Sequence, residues 1–482
     1  MHAARVIALL TAFLLTCASL VVEAQPPRRE QISDYIRVNA PVVVLKNVRV
    51  IDGTGAAARE RQTIVISGGK IQSVSANANA PANAQMLDLD GYTVIPGLVG
   101  MHDHMFFPMG GNPPIYGEMG DSFPRLYLAA GVTTIRTTGS IEPYTDIEIK
   151  KLIDAGKMIG PKMRTTGPYL EGTGAYTPDM HELTGPDDAR RLVNYWAETG
   201  ATSFKAYMNI THAELSAAIE EVHKRGLKIT GHLCSIGFRE AAELGIDDLE
   251  HGIVVDTEFA PDKQPDQCLP RQQVTATLRQ LDVHSEPVQQ MIRTLIQRHV
   301  AMTSTLPVFE ASVPNGAGGV QRPLEQERVL KVMSSEARKR YLDNRSRIPA
   351  DSPSAQLLKL EEDFEREFAR AGGLLIAGLD PTGNGGVVAG FGDQREVELL
   401  VEAGFTPLEA IHIATQNGAQ FLGEQEHIGS IAPGKQADLV VIHGDPSRNI
   451  NDIEKVEIVF KDGIGYDSQK LIDSVAGQVG NH

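Results

Sequence analysis

The sequence predicts an α/β fold: a (β/α)8 TIM barrel joined to a composite β-sandwich domain built from both chain ends. Three observations carry this. Short apolar runs alternate with helical stretches through residues 97–426. A β-rich texture both precedes and follows that region. Histidines stand at the carboxyl ends of the apolar runs, where barrel strands converge.

The chain starts with a secretion signal, residues 1–24. Arg5 is the basic start, 6–22 is the apolar run, and Glu23-Ala24 precedes Gln25, which predicts cleavage after Ala24. The protein is therefore expected in the periplasm or outside the cell. The run is at the short end for a membrane anchor. Lipid attachment at Cys17 is the weaker reading, because Thr16 precedes it. No other stretch is long and apolar enough to span a bilayer. Residues 25–40 then read as a linker.

Residues 41–96 and 427–475 read as the β-domain. Runs 42–45, 48–51 and 63–66 are strand-like, with turn signals at Asp52-Gly53, Gly68-Gly69 and Asp90-Gly91. Runs 437–442 and 456–460 repeat that texture, and Lys461-Asp462-Gly463 marks a hairpin. In the barrel, the strand candidates are 98–101, 132–136, 162–165, 203–207, 228–232, 248–251, 300–304 and 374–378. Helical patterns such as 186–199, 211–225 and 236–245 separate them. An insertion at about 310–372 is charged and helical in pattern. It reads as a lid, an oligomer contact or, more plainly, a solvated excursion.

Composition narrows the function. The 482 residues hold 61 acidic and 45 basic side chains, a net charge of −16, which argues against a nucleic-acid partner. Three cysteines exclude a disulfide-built scaffold or a cysteine zinc module. Cys234 and Cys268 remain after signal removal, as a disulfide or as two thiols. Fourteen histidines can instead supply nitrogen ligands.

His102 and His104 are two residues apart at a strand end, so both imidazoles share one face. His232 and His251 each end a strand candidate. Asp380 follows the last one, where a buried carboxylate needs a partner. Lys205 lies in the otherwise apolar Phe204-Lys205-Ala206-Tyr207-Met208. Low polarity depresses a lysine's pKa, and a neutral amine can take up carbon dioxide as a carbamate. The alternative is a lysine whose stem packs while its ammonium reaches solvent. With the carbamate, the residues describe two bridged divalent ions. His102, His104 and Asp380 hold one, His232 and His251 the other, and modified Lys205 lies between. Zinc is the first choice; manganese, cobalt and iron also suit such ligands. His212, His223, His284, His299, His412, His427 and His443 lack such a setting.

At this point the chain resembles the amidohydrolase superfamily over nearly its whole mature length. Residues 44–53 look like that family's first β-domain strand, 94–104 like its passage into the barrel, and 429–440 like its return to the β-domain. The resemblance implies the ligand set above, with Lys205 as N6-carboxylysine. The strand at 204–208 is similar to the modified-lysine strand of cyclic-amide hydrolases. Gly167-Pro168-Tyr169 and Leu249-Glu250-His251-Gly252 resemble the imidazolonepropionase-like branch, which includes prolidase-like (Xaa-Pro dipeptidase-related) and carboxypeptidase-like enzymes. Mononuclear deaminases of the superfamily usually lack the modified lysine. Related enzymes are often homo-oligomers.

The implied activity is hydrolysis of a C–N amide bond in a dipeptide or N-acyl amino acid by a metal-bridging hydroxide, with Asp380 moving the proton. Tyr207 is a candidate donor to the developing oxyanion. Arg136, Tyr169, His181 and Tyr207 are candidate substrate-binding residues. The alternatives are a cyclic amide, an imidazolone ring or a lactone as substrate, or a metal-retaining binding protein without turnover.

Overall fold

The computed structural model describes residues 31–78, 81–314 and 323–481; the segment expected to be a secretion signal lies outside them. Eight parallel strands form the barrel: β1 (Leu98–Asp103), β2 (Val132–Thr137), β3 (Lys162–Leu170), β4 (Ser203–Ala206), β5 (Lys228–Gly231), β6 (Asp248–Glu250), β7 (Ala301–Ser304) and β8 (Leu375–Ala377). They pair in sequence order. Each of the eight apolar runs is one of these strands. β1 and β2 are buried at every position, because helices cover the outside and side chains fill the inside.

The ring closes where β8 meets β1. Asp380 N donates to the His102 carbonyl at 3.0 Å. Gly378 lies against the His102 backbone, and any side chain there would collide with it. A glycine at this seam lets the last strand bring Asp380 beside the first histidine pair.

The helices follow local signals. His212–Lys224 begins at Thr211, whose hydroxyl accepts from Glu214 N while the Glu214 side chain returns to the Thr211 backbone. Pro186–Thr199 has proline in its first turn.

The β-domain is a nine-stranded sheet drawn from both ends of the chain. Leu439–His443 pairs antiparallel with Tyr92–Pro96, joining the C-terminal strands to the N-terminal ones. Val456–Lys461 and Ile464–Asp467 form the expected hairpin, with Asp462 and Gly463 at φ 52° and 79°. Ile36–Val38, assigned above to a linker, is instead an edge strand paired with Ile464–Asp467.

In its described residues the insertion is not a solvated excursion. Its helix Ser354–Arg370 buries Leu358, Glu361, Phe364, Glu365 and Phe368, one stripe at helical spacing. Pro323–Val332 leads into Met333, which bridges Val479 near the chain's end. Cys234 and Cys268 form a disulfide with Cα atoms 4.8 Å apart.

Candidate metal centre

β1 delivers His102 and His104, and both are buried. His232 and His251 follow the last residues of β5 and β6, and Asp380 lies three residues beyond β8. His251 and Asp380 both adopt left-handed backbone, at φ 68° and 51°. Such a conformation costs a non-glycine residue about 1–3 kcal/mol and persists where its surroundings impose it. Here His251 N donates to Thr303 O at 3.0 Å, and Asp380 N is held by His102 O.

The imidazoles are oriented from behind. His104 Nδ1 lies 3.2 Å from Gly139 O. A carbonyl only accepts, so Nδ1 carries the proton and Nε2 keeps its lone pair. That Nε2 is 3.5 Å from Asp380 Oδ1. His251 Nδ1 is 2.8 Å from the Thr305 hydroxyl, and its Nε2 is 3.9 Å from Asp380 Oδ2. His102 Nε2 is 3.9 Å from the same carboxylate oxygen and 3.2 Å from Lys205 Nζ. The His232 ring lies 4.4 Å from that of His251.

Burial, reinforced by the Lys205 charge, holds His102 and His104 well below the ordinary histidine range. Burial and the nearby His232 do the same to His251. His232 falls to about 3, again by burial and then Lys205. All four are therefore neutral, the form that ligates metal. Burial pushes Asp380 up to about 6 against the pull of Lys205.

The residues fit a divalent ion. Ligand atoms of His102, His251 and Asp380 all lie within 4.8 Å of one another. His102 Nδ1 and Asp380 Oδ1 are buried without a hydrogen-bond partner. Neutral imidazoles with a carboxylate form a nitrogen–oxygen donor set suited to zinc and its neighbours. Above them opens a cavity of about 360 Å³. Its floor carries His104, Lys205, His232, His251 and Asp380, and Phe106, Val254, Leu269 and Phe309 supply apolar wall.

The amidohydrolase family model matches residues 93–305 and 366–464. The chain belongs to the amidohydrolase family. The gap between the matched segments falls on the insertion. A dihydroorotase of Pelobacter propionicus is 28% identical over 202 residues, 39% of this chain and 46% of that relative, so the chain spans about half of its length. Among solved structures, a Xaa-Pro dipeptidase with bound methionine has TM-score 0.66 and 22% identity, covering 88% of this chain and 100% of its own. A bottromycin amidohydrolase has TM-score 0.67 and 18% identity, covering 93% and 94%.

In this amidohydrolase the six ligand candidates and both tyrosines gather at one barrel mouth. The Tyr207 ring packs 4.8 Å from Tyr169 and 5.0 Å from His232, and both tyrosines line the cavity. Arg136 requires correction as a substrate-binding residue. Its side chain turns into the barrel, where Nε donates to Met101 O at 2.8 Å and Nη2 to Asp248 at 3.0 Å. His181 is corrected too. It is exposed, pairs with Asp188 at 3.0 Å and lies off the cavity wall.

Two residues without a role in the sequence reading matter here. Glu250 is fully buried and meets Lys205 Nζ at 2.6 Å. Its only signal is its place just before His251. Arg271 lines the cavity from the start of a short helix, Arg271–Leu278, and no local pattern marks it.

Proposed function

We propose that this chain is an exported, metal-dependent amidohydrolase that cleaves the C–N amide bond of a dipeptide or N-acyl amino acid. The observation that carries the reading is the buried His102, His251 and Asp380 cluster beneath an apolar-walled cavity. His102, His104 and Asp380 would hold one divalent ion, His232 and His251 a second, with carboxylated Lys205 between them; zinc is the first choice. Such ions supply Lewis acidity and lower the pKa of water.

The chain's own groups do the rest. Asp380 takes the proton of the attacking water and returns it to the leaving nitrogen. Tyr207 donates to the oxygen that gains charge. Apolar walls hold the substrate side chain and exclude water. The Cys234–Cys268 disulfide supports export, since such bonds persist in oxidising compartments. The likeness to a Xaa-Pro dipeptidase fold supports the peptide reading. The dihydroorotase similarity keeps a cyclic amide as second reading.

The test is metal analysis of the mature chain followed by a screen of dipeptides, N-acyl amino acids, cyclic amides and lactones. Two metals per chain and amide turnover are expected. Turnover confined to cyclic amides or lactones rejects the first reading, and metal binding without any turnover leaves a binding protein.

A further inference from the structure

We infer that Arg271 is the specificity-determining residue of this cavity, reading a free carboxylate on the substrate, and that the Cys234–Cys268 disulfide positions it there. The inference rests on the amide-hydrolase reading and narrows its substrate class.

Two lysine or arginine side chains line the cavity, Lys205 and Arg271. Lys205 is buried at the floor and paired with Glu250. Arg271 is exposed at the wall. Among the described residues no carboxylate lies within ion-pair distance of it, although the chain bears many more acids than bases. In a chain of net charge −16, a cationic side chain at the cavity wall favours an anionic group on the substrate locally. A guanidinium is planar, permanently charged and matched to a carboxylate by two parallel donors.

The chain brings Arg271 here by covalent means. It is the first residue of the short helix Arg271–Leu278, which buries only Val274 and Leu278. Before it, 256–270 contains no helix or strand. Cys268, three residues upstream, is bonded to Cys234, two residues beyond His232. The crosslink therefore ties the Arg271 segment to the strand end that carries a metal-ligand candidate. Thr257 Oγ1 donates to Cys234 O at 2.6 Å and holds the same junction.

The experiment titrates N-acetyl-L-phenylalanine and its C-terminal amide into the metal-loaded full chain by calorimetry. Wild type, Arg271→Met and Arg271→Lys are compared, and turnover of both compounds is measured. The acid should bind wild type more tightly than the amide. Arg271→Met should weaken the acid about 10- to 100-fold while moving the amide by less than about 3-fold, and Arg271→Lys should fall between. In turnover, KM for the acid should rise with kcat little changed. Equal losses for acid and amide, or none, overturn the assignment. Cys268→Ser, with metal content checked, should lower the acid-to-amide binding ratio; an unchanged ratio removes the positioning role of the disulfide. If neither compound is hydrolysed but the binding contrast holds, the carboxylate site stands and the amide-hydrolase reading is decided by the wider substrate screen.

Discussion

Lys205 Nζ and the Glu250 carboxylate meet at 2.6 Å in the barrel floor, with neither side chain more than 2% exposed. Thr230 donates to the other Glu250 oxygen at 2.6 Å, and Arg136 stands 3.8 Å from it. The lysine proposed for carboxylation thus has a buried counterion on the strand that leads to His251. Removing one partner strands the other charge. Lys205→Met should cost the metal-free protein about 3–5 kcal/mol, and adding Glu250→Gln should recover most of that. Urea melts of the four proteins measure the coupling. Simple additivity would show that the pair is not a unit. Metal analysis of the same Lys205 variant should give one ion or fewer per chain; two would remove the bridge.

Asp380 sits between three imidazoles and is the one carboxylate among the ligand candidates. Asp380→Asn keeps its size and removes the proton acceptor. With amide substrate, kcat should fall about 10²- to 10⁴-fold, more than KM rises. A variant with normal kcat would remove the proton-transfer role.

Much of this architecture was legible in the sequence for a physical reason. Parallel barrel strands are buried on both faces, so they read as apolar runs, and their carboxyl ends mark the site. Tertiary pairing is not written locally. Arg136 lies one residue from the end of β2, so its position alone suggested the cavity. Its guanidinium turns to Asp248 on a strand 112 residues away. Glu250 reads as an ordinary acid beside a histidine until β4 and β6 come together. The insertion reads as solvated because it is rich in charge, yet two of its acids, Glu361 and Glu365, are buried.

The disulfide closes a loop with sequence separation 34. In the chain-entropy model such a loop is stabilised by about 3–4 kcal/mol. Reduction, or Cys268→Ser, should lower the thermal midpoint by several degrees. Differential scanning calorimetry with and without reductant checks this, and an unchanged midpoint would show that the crosslink bears no stability.

The buried acids where the insertion helix meets the helix Phe391–Glu402 predict an alkaline weakness. Ser304 Oγ lies 2.8 Å from Glu365 and 2.5 Å from Glu396. A hydroxyl has one proton to give, so one of these carboxyls must carry its own. Burial pushes Glu361 and Glu396 from the usual 4.5 up to about 8, and holds Glu365 well above its usual value. In the unfolded chain these groups ionise near 4.5; in the folded chain they stay protonated much higher. Their contribution is therefore fully present below about pH 4.5 and is lost progressively as pH rises toward about 8. Glu361 accepts from Val254 N at 3.0 Å, so Glu361→Gln can keep that bond without ionising. Its thermal midpoint should fall less than that of wild type between about pH 6 and pH 9, a window set by the linkage of ionisation to folding. Parallel profiles would show that Glu361 does not titrate with unfolding.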